Sequence, residues 1–114
     1  MESLNMLKEE FESSIGETEH FRQFYRAFKR DMRRILRPYV KRIRFSKGHF
    51  FVSGFFELDD GRIFYFSTGD VRYKLMPSML IRRAKDFNDY TGGTNIYVPY
   101  DERFSESLLD VISK

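Results

Sequence analysis

The chain has 114 residues, 41% of them hydrophobic, which suits one domain over residues 1–114 with enough apolar bulk to build a core without disulfides or a metal. It contains no Cys, no run near about 18 apolar residues and no signal-peptide pattern at its acidic start, so a membrane-spanning helix is not expected and a reducing, cytoplasmic setting is. The net charge of +3 hides a strong polarity: residues 1–19 carry −5, residues 20–49 carry +10 and the rest carry −2.

In chain order, Leu4, Leu7, Phe11 and Ile15 predict a short amphipathic helix with an acidic outer face, ended by Gly16. Thr18 then reads as the N-cap of a second helix, with Glu19 complementing its dipole. Phe21, Phe24, Tyr25, Phe28, Met32, Ile35, Leu36 and Tyr39 recur at three-and-four spacing and form one apolar stripe. Pro38 stops this helix. From Val40 the period changes to two. Ser46–His49 reads as a tight turn, Phe50–Leu58 as a strand, Asp60-Gly61 as a two-residue hairpin turn and Arg62–Thr68 as a further strand.

Two-residue turns place Leu58 opposite Ile63, Phe56 opposite Tyr65 and Phe55 opposite Phe66. One face then carries Ile43, Phe45, Phe50, Val52, Phe56, Leu58, Ile63 and Tyr65 as a core. The other carries Arg42, Arg44, Phe51, Phe55, Phe64 and Phe66. Met79–Ala84 predicts a fourth strand after a loop containing Pro77, residues 85–95 a polar loop, and Phe104, Leu108, Leu109 and Ile112 a C-terminal helix. The expected fold is α+β: an antiparallel meander of about four strands, with two N-terminal helices and one C-terminal helix on one face.

The residues offer little for catalysis. His20 and His49 have no metal-site spacing, and no serine sits in a nucleophile elbow. Asp86, Asp89, Asp101 and Glu102 read as loop and cap residues rather than ligands of a divalent ion, and Thr91-Gly92-Gly93 as a turn rather than an anion nest. No catalytic residue, metal or cofactor is expected.

Binding is the better-supported class. Arg22, Arg26, Lys29, Arg30, Arg33, Arg34 and Arg37 surround the apolar stripe of the second helix and could neutralise several phosphates. The outer sheet face mixes Phe51, Phe55, Phe64 and Phe66 with Arg42 and Arg44, the residue types on which single-strand binders stack bases and hold phosphates. The bland readings are a solvated basic face neutralised by the acidic first helix, and phenylalanines covered by other elements or by a homodimer mate. An aromatic and arginine-rich surface is also the composition of a protein interface.

The segment Leu80-Ile81-Arg82-Arg83-Ala84-Lys85, followed by Asp89-Tyr90-Thr91-Gly92-Gly93-Thr94-Asn95, resembles a pattern in small uncharacterised proteins of bacteriophages and mobile elements. Lys47-Gly48-His49, Ser53-Gly54-Phe55-Phe56 and Asp70-Val71-Arg72 are similar to the same group, and the likeness spans roughly residues 40–97. It implies a mobile-element origin and no particular activity. It also gives weight to Arg82, Lys85, Tyr90, Gly92, Gly93 and Asn95 as a surface constellation, against a local role in folding their own loop. The sequence thus leads to a non-catalytic module engaging nucleic acid or a nucleoprotein through the basic helix. The alternative is a protein-interaction factor acting on a host defence complex, as anti-CRISPR proteins do.

Overall fold

The computed structural model describes residues 1–8, 17–72 and 78–114. Among them, three helices and five strands follow in the order α1 (Glu2–Lys8), α2 (Glu17–Leu36), β1 (Val40–Lys47), β2 (Val52–Leu58), β3 (Ile63–Ser67), β4 (Ser78–Ala84), β5 (Ile96–Pro99) and α3 (Phe104–Ile112). The strands form one antiparallel sheet in sequential order, β1-β2-β3-β4-β5. The fold is α+β, as the residue pattern implies. The fifth strand is the addition: Ile96–Pro99 is too short for its alternation to register, and it forms by pairing with β4.

The apolar stripe of α2 drives the assembly. Phe24, Phe28, Met32 and Leu36 are fully buried in one cluster with Leu4 of α1, Phe104, Leu108 and Ile112 of α3, and Val52, Phe56, Phe64, Phe66, Met79, Ile81 and Val98 of the sheet. All three helices therefore cover the same sheet face. Arg37 N–H and Tyr39 N–H close the last turn of α2 on the carbonyls of Arg33 and Leu36, at 2.9 Å each, before the chain turns into β1. The helix begins at Glu17, so Thr18 and Glu19 lie in its first turn and Thr18 is not the cap. Phe11, Ile15, Gly16 and Pro77 lie outside the described residues.

Two turns differ from expectation, and one inverts a strand. The first hairpin turns at His49 and Phe50, beyond the predicted Ser46–His49, with Gly48 N–H donating to the Phe51 carbonyl at 2.9 Å. Phe50 sits there at φ 61 with its ring 5.5 Å from Phe21, so it packs on the core from the turn rather than from a strand. The second hairpin has a three-residue loop, Asp59-Asp60-Gly61. Gly61 N–H bonds the Leu58 carbonyl and Leu58 N–H bonds the Arg62 carbonyl, at 2.9 and 2.8 Å. Gly61 takes φ 94, which adds the extra loop residue at little steric cost.

Register then slips by one: Phe56 faces Phe64, Phe55 faces Tyr65 and Gly54 faces Phe66. Because side chains alternate, that slip turns Phe64 and Phe66 into the core and moves Ile63 and Tyr65 to the outer face.

A buried polar cluster fixes α1 to the rest. The Asp31 carboxylate, on the inner side of α2, accepts from Ser3 N–H at 3.0 Å and from Ser3 Oγ at 2.5 Å. Ser3 Oγ also lies 2.9 Å from the Tyr100 hydroxyl. Burial holds the Tyr100 phenol well above its ordinary pKa, so it acts here as a neutral hydrogen-bonding group.

Candidate functional site

The cations of α2 fall into two groups. Arg22, Arg26, Arg30 and Arg34 repeat every fourth residue and lie along one side of the helix, with side chains 57 to 66% exposed. Exposed Arg37 extends the stripe. Among the described residues three carboxylates oppose them. Glu19 serves both Arg22 at 3.5 Å and Arg26 at 4.0 Å, Glu2 of α1 holds Arg30 at 2.8 Å, and Asp31 lies 3.6 Å from Arg34. The acidic first helix therefore reaches the basic one through a single ion pair among the described residues.

Lys29 and Arg33 lean the other way, towards β1. Lys29 Nζ stands 4.3 Å from the Tyr25 ring centroid and Lys47 Nζ of β1 5.5 Å from the same ring. The Arg33 guanidinium lies 5.2 Å from the Phe45 ring of β1. Among the described residues Lys29, Arg33, Arg37, Lys41 and Lys47 have no carboxylate within 4.0 Å.

The outer sheet face is organised differently. Arg44, Phe55, Tyr65 and Arg82 sit side by side across β1 to β4, as the register requires. Residues 85–95 fold over this row. Phe87 stacks on Phe55 at 5.5 Å, and Tyr90 meets Phe55 and Tyr65 edge-on at 5.2 and 5.7 Å. Arg42 lies over Phe87 at 3.9 Å and pairs with Glu57 at 3.0 Å. Arg44 donates to the Phe87 carbonyl. Arg82 lies over Tyr65 at 4.6 Å, donates to Asn95 Oδ1 at 3.3 Å, and donates to the Tyr90 carbonyl. Phe55 is left only 1% exposed.

Of the residues expected to form a stacking platform, then, Phe55 lies under a cover and Phe64 and Phe66 lie in the core. Phe51 is half-buried beside the first turn. Among the described residues, exposed aromatic area on the outer face comes instead from Tyr90 and Tyr97, 53 and 54% exposed. No protein-family model, curated protein or solved structure matches the chain.

The Asp89–Asn95 run explains its own composition. Asp89 accepts from the backbone N–H groups of Lys85, Thr91 and Gly92 at 2.9, 3.2 and 3.0 Å. Gly92 and Gly93 carry no Cβ where one would meet Asp89 Oδ2 and the Arg83 carbonyl at 2.6 Å each. The Lys85 side chain is exposed and takes no part in this ring of bonds.

These bonds, the Lys85 N–H first, hold the Asp89 carboxyl below its ordinary pKa. A depressed folded-state value stabilises the loop above the unfolded pKa of about 3.9, and the effect is lost as pH falls through the folded value. In an NMR titration the amide resonances of Lys85, Thr91 and Gly92 should move together with a midpoint below about 3.9. A midpoint at or above that value would refute the role assigned to Asp89.

Among the described residues no group of His, Asp and Glu is arranged to hold a metal, and no helix is long and apolar enough to cross a membrane. A groove of about 580 Å³ lies between α3 and the β2–β3 turn and is lined by residues that include Tyr39, Asp59, Asp60, Glu106 and Asp110. Its one arginine, Arg62, is turned onto the carbonyls of Ile112 and Lys114 at 2.7 and 2.8 Å.

Proposed function

We propose that the protein is a non-catalytic binding module that engages nucleic acid, free or within a nucleoprotein, through the outward arginine stripe of α2. The observation that carries this reading is the exposed run Arg22, Arg26, Arg30, Arg34, Arg37, opposed among the described residues by three carboxylates of which Asp31 is already held by Ser3. At 1.5 Å per residue the stripe is roughly 22 Å long, enough to pass about six phosphates of one DNA strand. Exposed ion pairs of the Glu2–Arg30 kind contribute about 0–1 kcal/mol, so phosphate can replace the carboxylate at small cost.

Electrophoretic retardation of DNA and RNA across salt concentrations tests it. Retention should weaken steeply with salt. Combining Arg22→Glu, Arg26→Glu and Arg30→Glu should lower affinity more than about tenfold and flatten the salt slope by roughly 0.7–0.9 for each phosphate that is no longer neutralised. All three side chains are exposed on the surface of α2, so a folded variant is expected, which its circular dichroism checks. Salt-independent binding, or unchanged binding by the variant, would refute the reading.

Among the described residues, a protein-interaction role on the outer sheet face would rest chiefly on Tyr90 and Tyr97, since Phe55 there is buried and Phe51 half-buried. Carried by a phage or mobile element, either kind of module would act on nucleic acid or nucleoprotein of the host or of the element itself.

A further inference from the structure

Among the described residues the sheet has one long free edge. β1 is its outermost strand, runs for eight residues and is mostly exposed. The Gly48–Phe51 hydrogen bond marks the register of the ladder, so Ser46, Arg44 and Arg42 bond towards β2. The N–H and C=O groups of Ile43, Phe45 and Lys47 therefore point away from the sheet. No hydrogen bond among the described residues reaches them.

Beside that edge, on the helix side, stand Lys29, Arg33 and Lys47 with no carboxylate near among the described residues, held against Tyr25 and Phe45. On the other side stand Arg42 and Arg44.

We propose that β1 is a docking edge for an extended acidic peptide segment of a partner protein, which adds to the sheet as a sixth strand. Three arguments select this occupant. An edge backbone offers donors and acceptors alternately, and another peptide strand matches both, whereas a phosphodiester backbone supplies acceptors only. Side chains of an added strand alternate between the two faces, and both faces here present cations, so glutamate or aspartate is favoured on whichever face it takes. A second copy of this chain is disfavoured, because pairing β1 with β1 would bring Lys41, Arg42, Arg44 and Lys47 of both copies together along one seam. The site uses backbone groups and cations outside the Arg22–Arg26–Arg30 stripe, so it stands apart from the nucleic-acid reading.

The test titrates a synthetic heptapeptide of alternating glutamate and threonine, capped at both ends, into the intact protein. Binding should slow amide hydrogen exchange at Ile43, Phe45 and Lys47 by about tenfold or more, with little change at Arg42, Arg44 and Ser46, which are already bonded. N-methylation of alternate peptide residues should cost at least about tenfold in affinity, and a lysine–threonine peptide should not bind. Lys29→Glu with Lys47→Glu should abolish binding, while the triple arginine variant that loses nucleic acid should retain it. No binding at millimolar peptide, unchanged exchange at those three amides, or indifference to N-methylation would overturn the proposal, whatever the nucleic-acid result.

Discussion

Gly54→Ala is expected to be the most damaging small substitution in the protein, lowering stability by about 3 kcal/mol or more. A Cβ at this position would lie 2.1 Å from the Arg44 carbonyl oxygen and 2.8 Å from the Phe66 ring. The first neighbour is backbone of the paired strand β1, so it cannot swing aside as a side-chain end could. The second is a core ring already 5.8 Å from Phe45 and 6.2 Å from Phe28.

Overpacking usually costs about 1–3 kcal/mol, and this clash belongs at or above the top of that range. Total stability for such a domain is about 5–15 kcal/mol, so a partly unfolded population is expected. Gly61→Ala is the control. Nothing lies within 4 Å of the added methyl there, and the cost is the positive φ alone, about 1 kcal/mol. Urea denaturation of both variants checks the ranking. Equal midpoints would show that β1 and β2 are not packed this closely.

Phe28→Ala should cost about 3–5 kcal/mol, the range for truncating a buried aromatic. Phe28 is fully buried. Its ring lies 5.7 Å from Phe24, 6.2 Å from Tyr100 and 6.4 Å from Phe45. It thus joins α2 to the sheet and to the residue that closes the Ser3–Asp31 cluster. Losing the ring leaves a cavity bordered by other rings that cannot easily collapse into it.

Because Phe28 and Gly54 both touch Phe66, the two substitutions should not be additive: room left by the missing ring lets Phe66 retreat from the added methyl. A double-mutant cycle in urea would show coupling of at least about 0.5 kcal/mol. Strict additivity would mean that the two positions do not share Phe66 as a neighbour.

Much of the architecture was legible in the residues. The three-and-four spacing from Phe21 to Leu36 specifies a helix and its buried face, since only that periodicity places so many large apolar groups on one side. Pro38 and the change to period two mark where sheet begins. The charge segregation that motivates the functional reading needs no structure either.

Other features depended on packing between distant segments. A three-residue loop instead of two at Asp59-Asp60-Gly61 reversed which side of β3 faces the core, because an alternating strand turns over completely with a one-residue slip. The Ile, Phe, Tyr and Phe of β3 are apolar on both faces, so composition could not choose between the two registers. The cover formed by residues 85–95 was equally hidden: Phe87 reads as a lone apolar residue in a polar loop until Phe55, far earlier in the chain, is placed beneath it.

The burial of Asp31 inside an otherwise basic helix arises because Ser3 and Tyr100 arrive from opposite ends of the chain. Local pattern determined the helices, the strands and the polarity of charge. Only tertiary packing decided which aromatics are covered, which cations keep free solvent-facing donors and which strand is left as an edge, because each of those depends on partners far away in sequence.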